Sequence, residues 1–355
     1  FASSMNTNKS NLWFEEKNVP NDTINSLQFS YNNNFFCSTS WDGDVRCYGI
    51  QSSPSSIASQ PVSRISLGSP AISACWNMES TQIFAGDANG KVVSWDLGAN
   101  ATQGNQIAQH NQSIVSVQYN TAANCLTVGS LDGNVRLYDI RAPSNCMNLN
   151  CNGYLTSIAN GINQTKFAMT NGVDTFEYDL ANPSQPMNTY KESADDFVTT
   201  LSYSPTKFII QGMISGLVQV KYLDPNDNIR NNKKDLRFRV GRRERIQYTC
   251  SGIAVHNPTE YILTASADGS LTLWNAISRT KVGMFEKGTS TNPNGITACA
   301  YSMDGSMLVY AKGYGWDFGA PSTVNPTYKM DMTTRLYLRS HSNIVMEGGG
   351  SSGKR

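Results

Sequence analysis

Short runs in which every second residue is apolar recur along this 355-residue chain. The clearest are Ile24-Asn-Ser-Leu27-Gln-Phe29, Ile72-Ser-Ala-Cys75-Trp76, Ile114-Val-Ser-Val117-Gln-Tyr119, Val198-Thr-Thr-Leu201-Ser-Tyr203, Ile253-Ala-Val255 and Ile296-Thr-Ala-Cys299-Ala-Tyr301. Successive side chains of a strand point to opposite faces of its sheet, so a period of two marks a half-buried strand. No stretch of twelve or more residues carries a convincing helical period. The pattern predicts an all-β chain.

About fifteen residues after most of these runs comes a second, repeated signature. Ser40-Trp41-Asp42-Gly43-Asp-Val-Arg-Cys-Tyr48 returns as Asp87-Ala-Asn89-Gly90-Lys-Val-Val-Ser-Trp95-Asp96 and as Ser130-Leu131-Asp132-Gly133-Asn-Val-Arg-Leu-Tyr138-Asp139. Asn171-Gly172…Tyr178-Asp179, Ser215-Gly216…Tyr222 and Asp268-Gly269…Trp274-Asn275 complete the set. Each copy has an Asp-Gly or related turn, which supplies the positive φ of a tight hairpin, followed by an alternating strand ending in an aromatic. The turn glycines are spaced by 47, 43, 39, 44 and 53 residues, near the ~40–45 residues of a WD-type propeller repeat.

Six repeats leave a ring one blade short. Ile296 to Tyr301, Met307 to Ala311 and Arg335 to Leu338 supply three strands of a seventh, and an orphan strand near Leu12-Trp13-Phe14 supplies the fourth. Such closure removes the long exposed edges of an open sheet. The prediction is a seven-bladed WD-repeat β-propeller over residues 11–346, closed by its N-terminal strand. Residues 1–10, with Phe1-Ala-Ser-Ser read as a vector scar ahead of Met5, and the Gly/Ser-rich 347–355 read as disordered tails.

Composition narrows the chemistry. Twenty-eight Lys and Arg against 27 Asp and Glu give a net charge of +1, which excludes a globally basic nucleic-acid binder and an acidic disordered chain. Any nucleic-acid affinity must therefore be local. No run approaches the ~20 apolar residues of a membrane span, so no membrane partner is expected. The eight cysteines include no CxxC pair; mostly alternating within strand-like runs, they read as small buried hydrophobes in a reducing compartment, cytosol or nucleus.

Enzymatic motifs are missing: no GxxxxGK[ST], GxGxxG, HExxH or GxSxG occurs, and the three histidines have no metal partner at ligand spacing. His110, ahead of blade three, is expected to be structural, bonding to the turn residue Asp132. No catalytic residue, metal or cofactor is assigned. A rigid platform of loops remains, suited to binding.

Three features stand out on it. Lys233 to Arg245 holds seven cations (Lys233, Lys234, Arg237, Arg239, Arg242, Arg243, Arg245) against two acids, a local +5. It reads either as a phosphate or acidic-peptide contact or as a solvated outer strand guarded by charge. Trp41 precedes a turn Asp where other blades carry Leu131, Ala267 and Ala88, so it is either a partner anchor or local packing. Tyr314-Gly-Trp316-Asp-Phe-Gly319, on an insertion in the last blade, either stacks on a partner or base or roofs blade seven.

The chain resembles the mRNA export factor family of the nuclear pore, the poly(A)+ RNA export propellers, and the related mitotic-checkpoint propellers of kinetochores. The resemblance covers all seven blades. It rests on Ser40-Trp41-Asp42, Ile107-Ala-Gln-His110, Ser130-Leu131-Asp132-Gly133…Tyr138-Asp139-Ile-Arg141, Ser215-Gly216…Tyr222-Leu-Asp224-Pro225, Phe238-Arg239-Val-Gly-Arg242 and Gly252-Ile253-Ala-Val-His256. Gln106 to His110 and Tyr314 to Gly319 are closer to the export factors.

The resemblance implies a nucleoporin peptide of the GLEBS type, a helical hairpin carrying acidic residues, held across one face by Trp41 and Arg242. Arg239, Lys312, Tyr314 and Trp316 are the further candidates for that contact. Single-stranded RNA or mRNP contact is assigned to Lys233, Lys234, Arg237, Arg243 and Arg245. Two positions depart from the family: Leu131 stands where a second Trp is usual, and Leu217 where an Arg is usual. Lys312 or a cation between Arg239 and Arg243 is expected to replace that charge. The resulting expectation is a monomeric, non-enzymatic adaptor in mRNA export, moving between nucleus, nuclear pore and cytoplasm. The alternatives are a spindle-checkpoint scaffold for checkpoint kinases and a kinetochore phosphopeptide, and an unrelated WD scaffold such as a ubiquitin-ligase receptor.

Overall fold

The computed structural model describes residues 12–98, 102–142, 146–161, 164–191, 196–223, 235–243, 246–287, 294–315 and 332–342. Both predicted tails, 1–10 and 347–355, lie outside them. Seven four-stranded antiparallel sheets form, each with its strands in chain order except the last. Blade one comprises Ile24–Phe29, Phe35–Ser40, Asp44–Ser53 and Ser56–Ser66; blade two Ala71–Trp76, Gln82–Asp87, Lys91–Asp96 and Asn105–Gln109. Blade three comprises Ile114–Asn120, Cys125–Ser130, Asn134–Asp139 and Cys146–Asn150; blade four Ser157–Asn160, Lys166–Thr170, Asp174–Asp179 and Asn188–Lys191. Blade five holds Val198–Tyr203, Phe208–Met213, Leu217–Tyr222 and Leu236–Arg239; blade six Cys250–His256, Tyr261–Ser266, Leu271–Asn275 and Thr280–Glu286.

Blade seven joins the two ends of the chain. Gly295–Tyr301, Met307–Gly313 and Arg335–Ser340 are completed by Trp13–Glu16, which pairs antiparallel with the last of them, Trp13 opposite Arg339 and Glu16 opposite Leu336. The innermost strands of neighbouring blades touch all the way round, so the ring is closed. The long outer hairpin of blade one reaches over the closing strand, where Ser59 Oγ donates to the buried Glu16 carboxylate at 2.7 Å.

Hydrophobic alternation explains why the core is divided rather than single. Seven buried clusters form, one at each blade interface. Each sheet thus buries one face against each neighbour, and a lone blade would leave both wet. The aromatics that end the third strands, Tyr48, Trp95, Tyr138, Tyr178 and Tyr222, are all buried in these interfaces. The turn glycines 43, 90, 133, 172, 216 and 269 have φ between 70° and 91°, the left-handed region where glycine alone is unstrained. Cys37, Cys47, Cys75, Cys151 and Cys250 are buried free thiols, while Cys125 and Cys299 are half-buried. Burial pushes the Cys47 and Cys250 thiols up to about 12.

Candidate peptide-docking face

The turn between the second and third strands of a blade lies at the same end as the loop entering its innermost strand. Backbone bonds tie the two together: Trp41 N to Thr23 O at 3.0 Å, Leu131 N to Ser113 O at 2.9 Å, Ile214 N to Phe197 O at 2.9 Å and Ala267 N to Thr249 O at 3.0 Å. One face of the disc is therefore built from rigid, hydrogen-bonded turns.

Trp41 stands on this face with 46% of its surface exposed. Its turn is braced from below. Arg46 Nη1 donates to Asp42 Oδ1 at 3.0 Å and its Nη2 lies 2.8 Å from Asp42 Oδ2 and 3.0 Å from Asp44 Oδ2. Asp42 also accepts from the backbone N–H of Asn21 and Asp44. Burial alone would raise the Asp42 carboxyl, but the Arg46 bonds and charge outweigh it and hold the pKa below its ordinary value.

Beside Trp41 opens a groove of about 530 Å³, between blades one, six and seven. Ile24 and Ile296 form its floor, Trp41, Ala267 and Gly295 its walls, and among the described residues Asp22 is the one charged side chain lining it. On the far side of Ala267, Gly241 packs against Ser266 so tightly that an added methyl would collide with Ser266 Oγ. The next residue, Arg242, is exposed and begins a two-residue ribbon paired with Ile246–Gln247. Trp41 and Arg242 thus share one face, with the groove and one turn of blade six between them.

Leu217, where the resemblance leads one to expect Arg, is directly opposite Arg239 across the strand pair, and Arg239 Nη1 donates to Ser215 O at 3.2 Å. Arg239 therefore sets a cation beside Leu217. Lys312 does not: its Nζ is 2.6 Å from Glu286 Oε2 and lies over the Tyr337 ring, committed to the blade six–seven seam. Tyr314 is likewise corrected. Only 2% exposed, it packs inward while its carbonyl accepts from Thr23 Oγ1 at 2.9 Å, so it roofs blade seven rather than meeting a partner. Arg237 is exposed on the outer strand of blade five. Trp316, Lys233, Lys234, Arg245 and the side chain of Arg243 lie outside the described residues.

His110 is buried, but the bond expected to Asp132 does not form. Its Nε2 is 3.3 Å from the Tyr138 hydroxyl and its Nδ1 has no hydrogen-bond partner among the described residues. Asp132 instead accepts from the Asn134 N–H at 3.0 Å, an interaction internal to its turn. Burial, aided by the Arg136 charge and opposed by Asp132, pushes the His110 pKa down to about 4.

Sequence reasoning missed an apolar arc on the same face. Leu131, Val173 and Ile214 in the turns, with Tyr154 and Phe197 in the loops between blades, all expose large hydrophobic surface. Turns normally carry polar or small residues, so an aliphatic side chain beside Gly172, or two residues before Gly216 as at Ile214, was the available signal. Among the described residues no group of three or more His, Cys, Asp or Glu is placed to hold a metal, and no helix is long and apolar enough to cross a membrane.

Comparison with known proteins gives the lineage. The WD domain, G-beta repeat model matches residues 16–49, 102–139 and 247–275, the stretches that carry the Asp-Gly turns of blades one, three and six. "Protein Rae1" of Drosophila melanogaster is 26% identical over 96% of this chain and 97% of its own length. The "mRNA export factor" of Macaca fascicularis is 27% identical, and that of Xenopus tropicalis 25%, each over 86% of this chain and 84% of theirs. Seven closed blades, repeat matches in three of them and relatives spanning nearly the whole chain make this protein a WD-repeat β-propeller homologous to the mRNA export factors.

Proposed function

We propose that the protein is a non-enzymatic WD-repeat adaptor in mRNA export, which docks a GLEBS-type nucleoporin peptide on the face that carries Trp41 and contacts RNA through the arginines of blade five. The observation that carries this reading is the exposed Trp41 beside an apolar groove with exposed Arg242 beyond its far wall, on a chain similar over most of its length to proteins named for mRNA export. An aromatic anchor next to a desolvated pocket, with arginine at the rim, is the usual composition of an interaction hot spot. Acidic residues of the peptide meet Arg242 and Arg239, where charge-assisted bonds form. Such a role places the protein at the nuclear pore, in the nucleus and in the cytoplasm.

Titration of a labelled GLEBS-type nucleoporin peptide tests the docking. Trp41→Ala and Arg242→Glu are each expected to weaken binding by about tenfold or more. Both side chains are exposed, so the thermal midpoint should not move. Wild-type affinity in both variants overturns the reading. For the RNA contact, binding to single-stranded RNA should fall steeply with salt and weaken in an Arg237→Ala, Arg239→Ala, Arg242→Ala triple variant; no binding at low salt removes it.

A further inference from the structure

The outer hairpin of blade one projects from the disc at the end opposite the Trp41 turn. Its first strand, Asp44–Ser53, has ten residues, where the third strands of blades two to six have five or six. At ~3.3 Å per residue, the four extra residues carry the hairpin about 13 Å past the blade. Its base is held by buried Ile57 and by the Ser59–Glu16 bond, but every residue from Gln51 to Ser56 is exposed. No charged side chain stands between Arg46 and Arg64.

The tip of this hairpin contains a Ser-Pro step. The chain has three such steps, Ser53-Pro54, Ser69-Pro70 and Ser204-Pro205, and no Thr-Pro. The fold withdraws two of them. Ser204 is fully buried, its Oγ accepting from the backbone N–H groups of Lys207 and Phe208 at 2.9 and 2.8 Å. Ser69 is half-buried, and its Oγ donates to the buried Asp87 carboxylate at 2.6 Å. Among the described residues Ser53 Oγ bonds to Ser56 alone, accepting its N–H at 3.1 Å, a bond that a phosphoester oxygen could equally accept.

The tip is also easily opened. Two-residue hairpin loops favour left-handed backbone, which matches the twist of the strands. Proline is locked near a φ of about −65°, and Ser55 is not left-handed either. Fraying the hairpin back to the Ser52–Ile57 pair breaks only the Ser53–Ser56 pair and uncovers no buried side chain. Pro54 meanwhile biases Ser53 toward extended backbone and presents no N–H after it. Those are the two features that a proline-directed kinase reads next to its acceptor.

We propose that Ser53 is a phosphorylation site for a proline-directed serine kinase. Its Oγ attacks the γ-phosphorus of MgATP: an O–P bond forms, the bond to the β–γ bridging oxygen breaks, ADP leaves, and the hydroxyl proton passes to the catalytic carboxylate of the kinase. The product places a charge of about −1.5 to −2 on a tip that has none of its own. Such a mark suits an arginine-rich pocket on a partner. It lies at the far end of its strand from the Trp41 turn and does not depend on the docking reading.

Incubation of the intact folded chain with MgATP and a purified cyclin-dependent kinase, followed by peptide mapping in a mass spectrometer, tests it. Phosphate is expected on Ser53, with Ser69 and Ser204 unmodified. Ser53→Ala should abolish the mark, and Pro54→Ala, which keeps the acceptor hydroxyl, should slow it by about tenfold or more. The thermal midpoint should not move on modification, because the tip supports no buried side chain. The same mark is expected on the protein isolated from its own cells under phosphatase inhibition. A synthetic peptide spanning 48–60 that is modified while the folded chain stays inert would show the tip to be closed to kinases and overturn the site. Phosphate on Ser69 or Ser204 in preference to Ser53, an equal rate in Pro54→Ala, an inert peptide, or an unmarked Ser53 in the protein from cells would each overturn it as well.

Discussion

Glu286, at the end of the outer strand of blade six, holds the seam to blade seven, and its replacement by glutamine gives a sharp test of how the ring is kept shut. One carboxylate oxygen accepts from the Tyr310 hydroxyl at 2.6 Å and from Arg339 Nη2 at 2.8 Å; the other accepts from Lys312 Nζ at 2.6 Å. The Lys312, Arg339 and Glu286 side chains are 18%, 13% and 19% exposed, so water screens the cluster only in part. Glu286→Gln keeps the shape and leaves two cations facing a neutral amide. Removing one partner of a buried ion pair costs ~3–5 kcal/mol, and an exposed pair is worth ~0–1 kcal/mol. The small exposures place this cluster nearer the first, so the expected loss is about 2–4 kcal/mol. At about 2 °C per kcal/mol for a large domain, the melting midpoint should fall by about 4–8 °C at neutral pH.

The same group predicts a pH signature. Burial alone would raise the Glu286 carboxyl, but the bonds from Lys312 and Tyr310 and the nearby cations hold its pKa below the ordinary value. Its stabilisation is therefore complete above the unfolded-state value of ~4.3 and fades as pH falls through the lower folded value. Circular-dichroism melts from pH 7 to pH 3 should show the wild type losing an increment that Glu286→Gln has already lost. The double variant Glu286→Gln, Lys312→Met should recover part of the deficit, because one stranded cation is gone. An unchanged midpoint in Glu286→Gln at pH 7, or a double variant worse than the sum of the singles, refutes the clamp.

Two further outcomes are expected. His110 has a folded-state pKa lowered to about 4, so its protonation favours the unfolded chain; stability should fall from about pH 6.5 downward toward pH 4, and His110→Phe should flatten that part of a denaturant-unfolding series, whereas an identical slope would show the imidazole to be irrelevant. Deleting residues 1–16 uncovers the Arg335–Ser340 edge, and size-exclusion chromatography should then show association beyond the monomer; a monodisperse, equally stable product would mean the closing strand is dispensable.

How far the fold could be read from sequence depended on how strongly each blade kept its turn chemistry and alternation. Asp42-Gly43, Asp132-Gly133 and Asp268-Gly269 announced their hairpins, and the orphan apolar residues near Trp13 could be matched to a blade lacking a strand. The inner strand of blade four was not legible, because Ser157-Ile-Ala-Asn160 is only four residues long and offers a single large apolar side chain. The eleven-residue outer strand of blade one, and the extension of its third strand beyond Tyr48, were hidden by a Ser-rich composition that suits an exposed edge but carries little hydrophobic signal.

The docking face was half legible. Trp41 and Arg242 could be picked out as odd residues at turn and loop positions, yet nothing local reveals that Glu286, 26 residues upstream, claims Lys312. Nor does it reveal that Tyr314 turns inward while the adjacent Gly315 lines the groove. Those assignments are made by contacts between blades, which spacing along one strand does not encode. The groove itself is an absence of side chains, contributed by Ala267, Gly295 and Gly315 from two blades, and small residues scattered over 49 positions form no motif.

Hydrogen exchange of the intact chain, with and without a GLEBS-type nucleoporin peptide, addresses the docking face most directly. Slowed exchange is expected around residues 40–44, 214–217, 241–243, 246–247 and 266–269, with no change at the opposite-face turns around 30–34, 77–81 and 257–260. Protection confined to the opposite face, or none at saturating peptide, would contradict docking on the Trp41 face.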